Sequence, residues 1–244
     1  MFKKAIFKWF NSLYKYNFKL YYVFYYIYKY VSDYSKIKFL KSIIKNGNVV
    51  YDIGSNVGFY TKLLSDLVSS TGQVHAFEPD RLNFSILEKR FGSYQNIFLY
   101  NMAVGEYEGK IKLYESEDMN VDHQTFDSGE GRVFTEVDVV SIDTFMSEST
   151  EVDFIKIDIQ GYDYYAIKGM QKTISRSRSI SIFGEFWPYA LDKAGVSPHK
   201  YLELLSELQF EVEILGMKPL DDIKLLVKRK EYYTDYIAKR KVEI

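Results

Sequence analysis

The sequence predicts an α/β protein: a Rossmann-like, seven-stranded, mostly parallel sheet with helices on both faces, preceded by an N-terminal helical extension. Three observations carry that expectation. From Val49 onward, short apolar runs alternate with helically spaced segments, the pattern of a parallel sheet covered on both sides. The first run breaks at Asp52-Ile53-Gly54-Ser55-Asn56-Val57-Gly58, where Gly54 permits a tight turn from strand into helix and Gly58 leaves room for a ligand to approach the helix. Residues 1–45 differ from the rest, with ten lysines, no arginine and the single acid Asp33. The expected division is therefore an extension over 1–45 and one domain over 46–244.

Composition bounds what the chain can be. Its 244 residues are 47% hydrophobic, enough for one core with an appendage. A net charge of −1 gives no global field toward nucleic acid. The absence of cysteine excludes disulfides, thiolate metal sites and cysteine nucleophiles. No apolar run reaches membrane-spanning length and no cleavage-site pattern appears at the N-terminus, so the expectation is a cytoplasmic protein.

Within the extension, Phe2, Ala5, Ile6, Trp9, Phe10 and Leu13 follow helical spacing, with Lys3, Lys4 and Lys8 between them. Leu20–Tyr28 is aromatic on nearly all sides. Residues 1–30 fit either peripheral contact with an anionic membrane or a cap packed on the sheet or on a second subunit.

In the domain, strands are expected at 49–53, 73–78 and 97–100, with helices at 58–69 and 81–91. Asp80 is a candidate helix cap. Alternation at Gly109–Tyr114 and Phe134–Val140 reads as half-exposed strands. Between them, 116–132 is a polar insertion containing Asp122, His123, Gly129 and Gly131, a candidate binding loop. The next strand is Asp153–Asp158, with a helix after Gly161 through Met170. A strand over Ser179–Phe183 then leads to Gly184-Glu185. Pro198 opens a helix, and strands near 210–215 and 223–228 close the sheet. Asp52, Glu78, Asp158 and Glu185 thereby end strands on one edge, where open α/β sheets bind ligands.

The first turn discriminates between ligands. A dinucleotide fingerprint needs G-x-G-x-x-G, but positions 56 and 59 are Asn and Phe. An acid before the glycines repels a pyrophosphate and suits a cationic, amino-acid-bearing nucleoside such as S-adenosylmethionine. Glu78, 20 positions after Gly58, can hydrogen-bond both ribose hydroxyls.

Asp52-Ile-Gly-Ser-Asn-Val-Gly58-Phe-Tyr-Thr61, Ala76-Phe-Glu-Pro79, Asn101-Met-Ala103, Ser141-Ile-Asp143, Phe154-Ile-Lys-Ile-Asp158 and Gly161 resemble, in order and spacing, the FkbM family of S-adenosylmethionine-dependent methyltransferases. The resemblance runs from about Val49 to Phe186. It implies a class I methyltransferase fold and transfer of a methyl group, commonly to a hydroxyl of a sugar, glycolipid or polysaccharide. On it, Asp52, Gly54, Ser55, Asn56, Gly58 and Tyr60 belong to the methionine side of the cofactor site. Glu78 with Pro79 serves the ribose, Asn101 and Ala103 flank the adenine, and Asp158 lies under the methyl group. One position departs: the family pattern has Glu before the glycine, where this chain has Gln160.

Attack by a sugar hydroxyl calls for a general base. Asp158 is the first candidate, with Glu185 and the insertion residue His123 behind it. His75 reads as an interior strand residue and His199 as a surface one. Trp187 and Tyr189 could stack on a sugar ring or pack internally. No metal-ligand spacing appears. The rival classes are a catalytically silent S-adenosylmethionine- or glycan-binding protein and, against the glycine spacing, an NAD-dependent oxidoreductase. The expected partners are a sugar or glycolipid acceptor, with no nucleic acid, a membrane surface touched from residues 1–30, and a second copy of the chain.

Overall fold

The computed structural model describes residues 17–114, 124–125, 132–146, 150–217 and 223–240. The expected helix over Phe2–Leu13 and the insertion residues Asp122, His123, Gly129 and Gly131 lie outside them. Two helices open the described chain, α1 (Phe18–Ser32) and α2 (Tyr34–Ile43), with the Asn17 side chain capping α1 through the Leu20 N–H at 3.1 Å.

β1 (Val49–Ile53), α3 (Phe59–Val68), β2 (Gln73–Phe77), α4 (Arg81–Phe91) and β3 (Ile97–Tyr100) follow. Asp80 caps α4, accepting from the Asn83 N–H at 2.8 Å. β4 (Ala103–Val104), β5 (Gly109–Tyr114) and β6 (Phe134–Val140) form a separate small sheet in the order β4-β6-β5. After α5 (Ile142–Phe145) come β7 (Phe154–Ile157), α6 (Asp163–Lys168), α7 (Gln171–Arg176) and β8 (Ser181–Phe186). The described chain ends with α8 (Pro188–Lys193), α9 (Pro198–Glu207), β9 (Phe210–Ile214), α10 (Ile223–Leu226) and β10 (Thr234–Arg240).

The main sheet has seven strands in the order β3-β2-β1-β7-β8-β10-β9, parallel from β3 to β8 and antiparallel where β10 meets β8 and β9. Strand residues alternate between two cores. Val50, Phe154, Phe183 and Ile237 pack with Ile37, Leu40, Phe59, Leu64 and Leu87 on the α2–α4 side. Tyr51, Ile155, Ile182 and Tyr236 pack with Ile142, Tyr164, Ile174, Leu191 and Leu204 on the other. A fully buried Leu64 or Ile155 contributes roughly 1.5–3 kcal/mol. After β3 the chain crosses to the far side of β1, so the switch point falls between β1 and β7, the ligand crevice of such sheets.

The last expected strand is corrected. Residues 223–228 begin as the short helix α10, and the closing strand is β10. Ile223-Lys-Leu-Leu-Val-Lys is a short apolar run whose periodicity does not separate strand from helix. In β10, Tyr236, Ile237 and Ala238 are buried between two neighbours while the ends are polar. β8 also runs later than expected, which puts Glu185 inside the strand, opposite Asp235.

Candidate active site

The β1–α3 turn is clamped from both sides. The Gly54 and Ser55 N–H groups both donate to the Phe77 carbonyl at 3.0 Å, and the Lys156 ammonium donates to the Gly54 carbonyl at 2.8 Å. Gly54 has φ +79°, and a Cβ there would lie 2.0 Å from the Asp158 carbonyl oxygen. This glycine is therefore required by a backbone crossing, β1 loop against β7 loop. Gly58 also has positive φ, but its missing Cβ faces Phe91 and Leu87 of α4. Helix packing therefore occupies the space expected for a ligand. Ser55 is buried and its hydroxyl donates to the Asp52 carbonyl at 2.8 Å.

Beneath the turn lies an ion pair that sequence reading missed. Asp52 Oδ1 is 3.3 Å from Lys156 Nζ, and Asp52 Oδ2 accepts from the Thr61 hydroxyl at 2.6 Å. All three side chains are buried. Burial works against the Lys156 ammonium, but Asp52 and Asp158 outweigh it and hold the group charged. The signal was present in the sequence as a lysine inside the apolar strand Phe154–Ile157, where a charge persists only when paired.

Glu78, just past β2, bridges two loops. Its Oε2 accepts from the Asn56 N–H at 2.7 Å and its Oε1 from the Asp80 N–H at 3.0 Å. Burial nevertheless pushes its carboxyl up to about 7, against those two donors. Asn56 holds φ +51° to present its amide. Asn101 braces the same corner, donating to the Glu78 and Pro79 carbonyls at 2.9 and 3.1 Å. Ala103 is in β4, its side chain in the core of the small sheet with Leu113, Val137 and Val139.

At the β7 and β8 ends, Gln160 joins two acids. Its amide nitrogen lies 3.1 Å from Asp158 Oδ1 and 3.4 Å from Glu185 Oε2. Burial first, then Asp158 and Asp163, push the Glu185 carboxyl well above the usual carboxylate range, with Lys36 opposing. Gln160 and Gly161 both have positive φ, and a Cβ on Gly161 would collide with Ala190 of α8. Asp163, also missed from sequence, accepts from the Gly161 N–H at 3.1 Å through Oδ2, while its buried Oδ1 has no partner. Burial, then Asp158, push its carboxyl up to about 7.

The extension reaches this edge. Tyr60 in the first turn of α3 donates its hydroxyl to Asp33 Oδ2 at 2.7 Å, and Asp33 also pairs with Lys29. Lys36 of α2 pairs with Asp235 at 2.8 Å, on the strand register next to Glu185. Asp33 and Lys36 were invisible as site residues because their partners are far away in sequence.

The remaining expected residues are dispersed. His123 lies outside the described residues. His75 is interior, with Nδ1 3.0 Å from the Tyr100 hydroxyl, and burial lowers its imidazole to about 4. His199 is exposed on α9. Trp187 is buried against Tyr189 and Tyr233, with its indole N–H donating to the Lys230 carbonyl at 2.9 Å. Among the described residues, no group of three His, Asp or Glu side chains is placed to hold a metal ion.

A seven-stranded sheet of this order, a glycine turn led by an acid and a second acid after β2 define a class I, S-adenosylmethionine-dependent methyltransferase. The chain belongs to the FkbM methyltransferase family, whose Methyltransferase FkbM domain matches residues 52–212. Sequence comparison with curated proteins gives no significant match. Solved structures share the fold at low identity. One, described as an rRNA methylase of Clostridium thermocellum, has TM-score 0.52 and 13% identity over 86% of this chain and 96% of its own. A SAM-dependent O-methyltransferase of Thermotoga maritima has TM-score 0.50 and 14% identity over 86% and 66%. A Streptococcus mutans protein assigned as a methyltransferase, in complex with S-adenosylhomocysteine, has TM-score 0.50 and 10% identity over 84% and 96%.

Proposed function

We propose that this methyltransferase modifies a hydroxyl oxygen on a sugar, a glycolipid or a polysaccharide. The observation that carries the reading is the meeting of Asp158, Gln160 and Glu185 at the sheet edge beside the Gly54 turn. S-adenosylmethionine supplies an electrophilic methyl carbon when bound. The residues present suit that cofactor: among the described residues, Asp52, Glu78, Asp158 and Glu185 gather with one buried cation, Lys156, and a sulfonium and an ammonium favour the ionised form of such acids where a pyrophosphate would oppose it. Gly54, Ser55, Asn56 and Tyr60 would hold the methionine side, Glu78 and Pro79 the ribose, and Asn101 the adenine side, while the Ala103 side chain is taken up by the core of the small sheet. Asp52, fully buried and already paired, would act by fixing the turn.

The acceptor chemistry is assigned to the carboxyl pair. A hydroxyl must lose its proton as its oxygen attacks. Burial, then the neighbouring Asp158, favour the protonated form of Glu185. The Asp158 carboxylate takes the acceptor proton, and the Gln160 amide holds both carboxyl groups toward one point. A neutral Gln suits this place better than a Glu, since a third carboxylate would repel the other two.

Calorimetric titration with S-adenosylhomocysteine, with NAD as control, tests the cofactor. Binding that weakens on Glu78→Ala is expected, and no binding to a folded sample would overturn the reading. Incorporation of labelled methyl into saccharide acceptors tests the reaction. Its loss on Asp158→Ala, with cofactor binding kept, is the expected result, and cofactor binding with no transfer to any saccharide would leave the silent binding protein.

A further inference from the structure

Helix α1 is apolar on two faces, one packed on the protein and one open. The face turned toward the protein carries Tyr21, Tyr22, Tyr25 and Lys29. Tyr21 packs with Val57 of the cofactor turn and Ile86 of α4, the Arg90 guanidinium lies 3.7 Å from the Tyr22 ring centroid, and Lys29 pairs with Asp33. The purely apolar stripe points outward. Leu20, Val23, Ile27 and Val31 repeat at helical spacing and are exposed, Ile27 by 55% and Val31 by 72%, with Tyr28 alongside. Apolar faces of globular helices normally turn inward, and an open one of this kind marks an interaction surface.

Charge selects the partner. Residues 1–45 hold ten lysines and one acid, leaving the rest of the chain with an excess of ten acids. A protein polarised in this way turns its basic end to an anionic surface and is repelled elsewhere. Lysines with tyrosines around an aliphatic stripe match the bilayer interface. Among the described residues, no helix is long and apolar enough to cross a membrane, and α1 has 15 residues, fewer than the roughly 20 that a crossing needs. The extension also borders the catalytic edge: Tyr26 of α1 packs on Phe59 after the cofactor turn, and Lys36 of α2 pairs at 2.8 Å with Asp235, which lies opposite Glu185.

We infer that the outward face of α1 docks on an anionic lipid bilayer and sets the mouth of the active site against it. A lipid-linked acceptor follows, a step that rests on the methyltransferase reading above.

Co-sedimentation of the full chain with phosphatidylcholine vesicles, with and without phosphatidylglycerol, tests the surface. Binding is expected only with phosphatidylglycerol, weakened by salt and by at least about tenfold on Ile27→Asp/Val31→Asp. Those positions are exposed, so the circular dichroism spectrum and S-adenosylhomocysteine titration of the double variant should match wild type. Absence of vesicle binding, equal binding to neutral vesicles, or full binding by the variant would each overturn the proposal. So would a dimer in light scattering that the same variant dissociates, which would give the face to a second copy. For the acceptor, labelled methyl should enter lipid-extractable saccharide of a membrane extract, and label confined to water-soluble material overturns that part. The titration keeps failure of the methyltransferase reading separate from failure of the docking surface.

Discussion

The Tyr60 hydroxyl donates to the Asp33 carboxylate at 2.7 Å, joining the first turn after the cofactor loop to the junction of α1 and α2. Both side chains are buried, and burial first, then Asp33, pushes the phenol far above its ordinary titration range. Asp33 keeps Lys29 and the Ser32 hydroxyl as further partners. Tyr60→Phe is therefore expected to lower stability by about 1.5–3 kcal/mol, in the range of a hydrogen bond to a charged group. Denaturant unfolding checks it, and an unchanged midpoint would mean that this bond does not secure the extension.

Lys156 and Asp52 support the turn from below. Lys156→Met would leave Asp52 buried with only the Thr61 hydroxyl, and the expected loss is about 3–5 kcal/mol. Adding Asp52→Asn removes the orphaned charge and should restore part of that loss. The double-mutant cycle measures the coupling. Strictly additive losses would argue that the 3.3 Å pair contributes nothing.

Much of this site was legible because its signals are local. The turn Asp52–Gly58, the acid Glu78 and the strand Phe154–Ile157 are each fixed by neighbours within a few positions, and their spacing places them on one edge. What stayed hidden depends on long separations. Lys36 meets Asp235 across 199 positions, and no periodicity announces that pair. Likewise, Gly58 reads in sequence as room for a ligand, whereas its hydrogen faces Phe91 of α4. The closing strand was misplaced because Ile223–Val227 is the more apolar run, and burial of Tyr236 and Ala238 becomes visible only once β8 and β9 flank them.

Gly54 and Gly216 separate two costs of a left-handed backbone. Both have positive φ, but a Cβ on Gly216 meets nothing within 4 Å, whereas one on Gly54 strikes the Asp158 carbonyl at 2.0 Å. Gly216→Ala should lose only the conformational term, about 1–2 kcal/mol. Gly54→Ala should lose more than about 3 kcal/mol and abolish S-adenosylhomocysteine binding, since the two catalytic-edge loops must part. Thermal unfolding and titration of both variants check the contrast.

Asp163 gives the fold a pH signature. Its carboxyl rises from 3.8 to about 7 on folding, so the folded state holds its proton more tightly than the unfolded chain. The stabilisation from that bound proton is full below about pH 4 and is lost as pH rises toward 7. Glu78, rising from 4.5 to about 7, acts in the same direction, while His75, lowered from 6.5 to about 4, acts in the opposite one. Asp163→Asn isolates one group: relative to wild type, the variant should gain on the order of a few kcal/mol between pH 4 and 8. Parallel stability curves for the two proteins would show that the unpartnered Oδ1 carries no proton at neutrality.

Gln160→Glu tests what the amide does between the two acids. The substitution places a third carboxyl group within 3.1 Å of Asp158 and 3.4 Å of Glu185, where the amide now donates to both. Two outcomes of electrostatics follow. At acidic pH the new group is protonated and its single O–H can donate to one of the two acids, so stability should approach that of wild type. Above neutrality the cluster must either bind an extra proton or carry repelling charges, and stability should fall by about 1–2 kcal/mol. The pH profile of methyl transfer should shift upward with it, because the pair that accepts the acceptor's proton becomes more basic. A variant as stable as wild type at every pH, with an unmoved profile, would place the amide outside the proton-accepting unit and leave Asp158 to act alone.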